Sequence, residues 1–293
     1  MRLEDRIALD LSADVPAEVS RAATLLATTQ GVVAVLFYGS VLRTGKLDDM
    51  LDFYVLTSGD GGWLWPDISF RAFCIDGRTI RAKVATMPLT TFERAASGRL
   101  LDTTVWTRFA QPGALVWSRD ADRAGQVARA VADAVRTAAR FAAVIGPREG
   151  DARAYWLALF AATYRTELRV ERAGRGAQIV DHDSRRYEDL LPLAWDADGI
   201  DVTSKEGRYR PMLSRRQRRR IKWAWRVRAA AGKPINIARL IKAAFTLEGA
   251  ARYALWKIER HAGVRIEATP WRERHPILAA PGVLWRVLRA AAR

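Results

Sequence analysis

Residues 32–37 (VVAVLF) form an unbroken apolar run between Gly31 and Gly39. The run is too short for a helix and mostly β-branched or aromatic, so it reads as a buried strand. Residues 52–56 (DFYVL) repeat that character and predict a second strand. Residues 69–75 and 79–86 flank Asp76-Gly77, the residue pair of a tight hairpin turn, and Pro88 ends the pair. Residues 16–29 predict a short amphipathic helix opened by Pro16, 89–97 another helix, and 113–117 (GALVW) a further strand. Beyond residue 120 the apolar period becomes helical. Val127, Val131, Val135, Phe141 and Val144 mark a helix over 120–145, which Gly146-Pro147 stops. A second helix spans 151–168, with Tyr155, Trp156, Phe160 and Tyr164 as its core stripe. Residues 173–184 read as a loop, and helical patterns return at 184–194, 214–230, 235–245 and 247–262. The order predicts an α/β (α+β) unit of roughly 120 residues followed by helices.

Composition narrows the class. The chain has 293 residues, 49% hydrophobic and 27% charged, as a folded soluble protein does. No apolar run reaches the ~20 residues of a membrane span. The first residues, MRLEDRIALDLSADV, lack the apolar core of a secretory signal. Cys74 is the only cysteine, which excludes an internal disulfide and a cysteine zinc site and fits a reducing compartment. The three histidines, His182, His261 and His275, have no metal-binding spacing. The net charge of +16 is one-sided: residues 201–293 hold 23 Lys/Arg against 6 Asp/Glu, and the other 200 residues are nearly neutral. A polyanionic partner, nucleic acid or an anionic membrane surface, is expected at that end.

The chemistry concentrates between residues 35 and 56. A strand runs into Gly39-Ser40, a helix begins, and about twelve residues later Asp52 opens the next strand. Gly39 permits a tight turn and a close approach to a ligand. Ser40 and the amides at the helix start can cradle phosphates. Asp52 beside them can hold Mg²⁺, which neutralises charge during phosphoryl or nucleotidyl transfer.

This ordered set resembles the nucleotidyltransferase superfamily, whose signature adds a second acid two residues before the first. Here that position is Met50, and Asp49 lies three before. Tyr38-Gly39-Ser40 with Met50-Leu51-Asp52-Phe53 is similar to the mitochondrial-type phosphatidate cytidylyltransferases, the translocator assembly and maintenance family, which carry an apolar residue there. Further matches follow in order: Asp76–Arg81, Arg108 with Pro112, Tyr164-x-x-Glu167-x-Arg169 with Ile179-Val180, and Lys242–Thr246. Together they span roughly residues 35–250. The resemblance implies a nucleotidyltransferase domain (1–120), a helical, winged-helix-like domain (121–212) and a basic amphipathic C-terminal region (213–293). It implies the conversion of CTP and phosphatidic acid to CDP-diacylglycerol and pyrophosphate with Mg²⁺, by a cytoplasmic protein peripheral to the inner face of the cell membrane.

In that reading Ser40 and Gly39 hold the triphosphate, Asp52 holds the metal, and Glu167, with Asp49 in reserve, supplies the second acid. Arg43, Arg81, Lys83, Arg108 and Arg169 neutralise phosphates. Arg219, Trp223, Trp225 and Trp285, in basic segments with interleaved apolar residues, meet the membrane. The same basic, aromatic pattern suits nucleic acid. A nucleotidyltransferase acting on RNA or a small molecule, and an inactive binding module, are the competing expectations.

Overall fold

The computed structural model describes residues 1–45, 47, 50–59, 65–166 and 175–246, with 267, 269–271 and 282. The described chain opens with helices α1 (Leu3–Leu11) and α2 (Ala17–Ala27), then strand β1 (Val32–Tyr38), short helix α3 (Ser40–Thr44) and strand β2 (Leu51–Thr57). Strands β3 (Asp67–Ile75) and β4 (Arg78–Pro88), helices α4 (Leu89–Ala96) and α5 (Thr104–Phe109), and strand β5 (Gly113–Ser118) complete the sheet region. Helices α6 (Ala121–Ile145), α7 (Ala152–Thr166), α8 (Arg175–His182) and α9 (Ser184–Ala197) follow. Strands β6 (Val202–Lys205) and β7 (Arg208–Pro211) and helix α10 (Arg215–Thr246) come last.

The five-stranded sheet has the order β3-β4-β2-β1-β5. All its neighbours are antiparallel except β2 and β4, which run parallel. Strand β1 is buried along its whole length, as an unbroken apolar central strand should be. The Asp76-Gly77 turn has positive φ at both residues, as the tight hairpin requires.

Alternation along the strands divides the core. Val35, Phe37, Phe53, Val55 and Val84 face α2. Leu36, Tyr38, Tyr54, Leu56 and Ala85 face the helices, in one cluster that runs from Leu3 through Trp106, Phe141, Trp156 and Trp195 to Ile200. The sheet and helices α4 to α9 therefore share a core. Helix α6 lies at its centre, and its Val127, Val131, Val135 and Phe141 are buried.

Several elements differ from the sequence expectation. Residues 175–182, expected as loop, form α8 because Ile179 and Val180 bury against the core. A hairpin, β6–β7, follows α9 where no strand is expected. Its four-residue strands are mostly exposed and carry little apolar pattern. The two helices expected at 214–230 and 235–245 are one helix, α10, which continues through Pro234. Ser214 and Gln217 exchange bonds at its start, Gln217 N to Ser214 Oγ at 3.2 Å and Ser214 N to Gln217 Oε1 at 2.9 Å, a reciprocal cap. Among the described residues no helix is long and apolar enough to cross a membrane.

Candidate functional site

Strand β1 ends at Tyr38, and Gly39 turns the chain with φ of 102° and ψ of −159°, a conformation that L side chains rarely adopt. A second constraint acts at the same atom. A Cβ on Gly39 would lie 2.8 Å from Asp52 Oδ2 and 3.4 Å from Asp52 Cβ. The space left by the missing side chain is where the Asp52 carboxylate sits. Helix α3 then starts at Ser40, which is half-buried, and ends at Gly45 in the left-handed conformation.

The register of the sheet assembles the rest. Asp52 pairs with Tyr38 on one side and with Lys83 on the other, and Lys83 pairs with Phe70. Paired residues share a face, so Tyr38, Asp52, Lys83 and Phe70 form one row across four strands. Arg81 stands on the same face of β4, two residues from Lys83. Burial changes steeply along this face. Arg81 is exposed and Lys83 half-buried, whereas Ala85 and Met87 are buried; Asp52 is half-buried, whereas Tyr54 and Leu56 are buried. The row thus lies where the helical cover of the sheet ends, accessible yet partly desolvated, and there charges act more strongly than in bulk water.

Helix α5 adds Arg108, whose guanidinium lies 4.8 Å from the Tyr38 ring centroid and 6.0 Å from that of Tyr54. Burial pushes the Tyr38 hydroxyl well above the usual tyrosine value. The Arg108 charge opposes that shift and the Asp52 carboxylate adds to it. Tyr38 therefore stays protonated between the Asp52 carboxylate and the Arg108 guanidinium. Arg43, on the last turn of α3, is half-buried; burial raises the Tyr187 hydroxyl on α9 above the usual tyrosine value, and the Arg186 and Arg43 guanidiniums oppose that shift. Helices α7 and α9 thus back the turn from the helical side.

The structure brings together Gly39, Ser40, Asp52, Lys83, Arg81 and Arg108 at one end of the sheet, with Arg43 behind. Asp49, Glu167 and Arg169 lie outside the described residues, as does Trp285. Among the described residues no group of three or more His, Cys, Asp or Glu side chains gathers as a metal site. One carboxylate, a hydroxyl and the oxygens of a bound triphosphate are nevertheless a donor set suited to Mg²⁺, which takes one or two carboxylates and keeps the rest as phosphate and water. The Asp52 carboxylate lies against the Gly39 turn, at the start of α3.

The basic C-terminal segment is split by α10. Arg215, Arg219, Lys222 and Arg226 form one exposed stripe at helical spacing, and Arg216, Arg220 and Trp223 form its neighbour, with Trp223 68% exposed. Trp225 faces the other way, with its ring 5.8 Å from Phe141, and Ile221 and Ala224 pack on the same core. The apolar residues of its first half, Ile221, Ala224 and Trp225, are thus turned inward, and the side left to solvent carries the cations together with Trp223 and, farther along, Ile237. Cations in a first helical turn oppose the helix dipole, so a bound polyanion would relieve their mutual repulsion.

Two residues beyond the expected set matter to the site. Tyr38 carries a buried hydroxyl into the charged row. Asp102 caps α5, and its signal is legible: an acid followed by Thr103-Thr104 just before the apolar Val105-Trp106 is a helix-start pattern.

No family model matches the chain, and no curated protein matches it in sequence. Among solved structures, a nucleotidyltransferase-like protein from Exiguobacterium sibiricum matches at 10% identity, over 83% of this chain and 80% of that one, with a TM-score of 0.27. That likeness is too distant to assign a fold or an activity, so the geometry of the sheet end carries the functional reading.

Proposed function

We propose that the protein is a Mg²⁺-dependent nucleotidyltransferase, and specifically that it transfers a cytidylyl group from CTP to phosphatidic acid. The observation that carries the first part is the contact between Gly39 and Asp52. A glycine-only turn at a helix start has an acid seated in the space of its absent side chain, in a row with Lys83 and beside Arg108. That arrangement offers an amide and hydroxyl cradle for phosphates, a carboxylate for the cation, and fixed positive charge for the triphosphate. The choice of cytidine and of a phosphatidate acceptor rests on the sequence resemblance.

In this mechanism Ser40 and the amides after Gly39 hold the β- and γ-phosphates. Asp52 would hold Mg²⁺, which when bound offsets charge on the triphosphate and on the attacking and leaving oxygens. Lys83, Arg81 and Arg108 orient and neutralise the phosphates. A phosphate oxygen of the acceptor attacks the α-phosphorus in line. The new P–O bond forms as the bond to the pyrophosphate oxygen breaks. The acceptor is already ionised near neutral pH, so the step needs no general base. Glu167 and Arg169 are proposed to complete the metal and phosphate ligands.

Asp52→Asn tests the reading. It is expected to lower CDP-diacylglycerol formation from labelled CTP by about a hundredfold or more, with an unchanged melting curve. Full activity in that variant would end the proposal. A nucleic-acid acceptor is the second reading, and the inward packing of Trp225 and Ile221 favours it, because an interfacial helix needs an exposed apolar face. Flotation with phosphatidic acid vesicles, set against RNA gel shifts, separates the two.

A further inference from the structure

Helix α5 is not a self-sufficient element. Its six residues are too few to be stable alone, yet it sets Arg108 over Tyr38 and places Phe109 edge-on to Tyr54 and Phe92. Side chains from distant elements hold both its ends. At the far end, Arg186 Nη1 donates to the Ala110 carbonyl at 2.9 Å. At the start, the Asp102 carboxylate accepts from Thr104 N at 3.0 Å, Val105 N at 3.4 Å and Thr104 Oγ1 at 2.9 Å.

The Asp102 side chain is only 6% exposed. A buried carboxylate keeps its charge only beside a partner. That partner comes from α10: Arg239 Nη1 donates to Asp102 Oδ1 at 2.5 Å, and the Arg239 guanidinium also lies 4.8 Å from the Trp65 ring centroid. One helical stretch earlier, Arg228 donates to the carbonyls of Gly98 and Leu100, in the loop that leads into α5. Helix α10 therefore grips the approach to α5 and its cap together.

We infer that Arg239 is a positioning residue for the nucleotide site: by holding Asp102 on the first turn of α5, it fixes Arg108 over Tyr38 beside Asp52. The C-terminal helix thereby sets how tightly the sheet end binds a triphosphate. This inference rests on the reading that Arg108 faces the phosphates. Lysine at 239 would keep the charge and lose the planar fork and the ring stacking.

The test is a double-mutant cycle on the full chain, with Mg·CTP binding measured by calorimetry and melting recorded in parallel. Arg108→Ala is expected to weaken binding by about tenfold, and Arg239→Met by a similar factor. In the Arg108→Ala background, Arg239→Met should add less than about twofold, since its effect passes through Arg108. Arg239→Lys should recover part of the loss. Arg239→Met that lowers the melting temperature while leaving Mg·CTP affinity unchanged would overturn the inference, as would losses that simply multiply. If Arg239→Met does not fold, Asp102→Asn and Arg239→Lys complete the same cycle. If Asp52→Asn and Arg108→Ala both bind Mg·CTP like the unaltered chain, the nucleotide-site reading fails first and takes this inference with it.

Discussion

The end of the sheet and the outer face of α10 are both rich in cations, but they hold them differently. At the sheet end, strand register places Lys83 beside Asp52, and the Arg108 guanidinium stacks over the Tyr38 ring. On α10, Arg215, Arg216, Arg219 and Arg220 project from a single helix into solvent. The first arrangement gives geometry, because strand register and a ring contact set where the cations start from. The second gives a field, which is long-range, tolerant of position and screened by salt. Under the proposed function both would serve: positions for the reacting phosphates and a surface that gathers the acceptor.

The largest effect should come from the fixed region. Gly39→Ala would force a side chain into both a left-handed backbone and the Asp52 carboxylate. It is expected to lower transferase activity by about a hundredfold or more, measured with labelled CTP. A mild loss would mean that the Asp52 contact can relax without consequence. Next, the two tryptophans of α10 divide its faces. Trp225→Ala should cost about 2 kcal/mol of stability in denaturant melts, and Trp223→Ala less than about 0.5 kcal/mol. Equal losses would contradict the inward and outward assignment.

The field predicts smaller, additive steps. Arg219→Gln and Arg220→Gln should each weaken binding to phosphatidic acid vesicles by about 1 kcal/mol at low salt and leave Mg·CTP affinity alone. A change in nucleotide affinity would show that the two regions are not separable. The smallest effect concerns pH. Burial raises the hydroxyls of Tyr38 and Tyr187 above the ordinary 10.0, so the folded chain keeps protons that the unfolded chain releases. Their contribution is complete below about pH 10 and is lost as the pH rises toward the folded values. Tyr38→Phe should flatten the alkaline fall of the melting temperature, and an unchanged slope would place the Tyr38 hydroxyl in contact with water.

The sheet end is largely legible in the sequence. A buried β1, Gly39-Ser40 and an acid-led β2 are local patterns, and register then brings Lys83 and Arg81 to Asp52. Helix α5 is harder to read, because its six residues depend on Asp102, Arg186 and Arg239, none of them within the helix itself. The continuity of α10 is hidden for a similar reason. Gly232 and Pro234 predict a break, yet Arg228 and Arg239 anchor the helix on both sides of them. Gly232 has its own reason: a Cβ there would meet the Thr166 carbonyl at 2.6 Å, so the residue allows α10 to cross the end of α7. Periodicity marks a helix with two faces, but it could not say that the apolar face of α10 is already occupied by Phe141.

The bond from Arg239 to Asp102 also orders events during synthesis. It joins residues 137 positions apart, which a ribosome adds over a time on the order of ten seconds. Until Arg239 leaves the exit tunnel, the strands and the Gly39 turn can be in place while α5 lacks the counter-charge for its cap. The nascent chain would then have the Gly39 turn before it has a steady Arg108, and under the proposed function nucleotide binding would mature only once α10 is made.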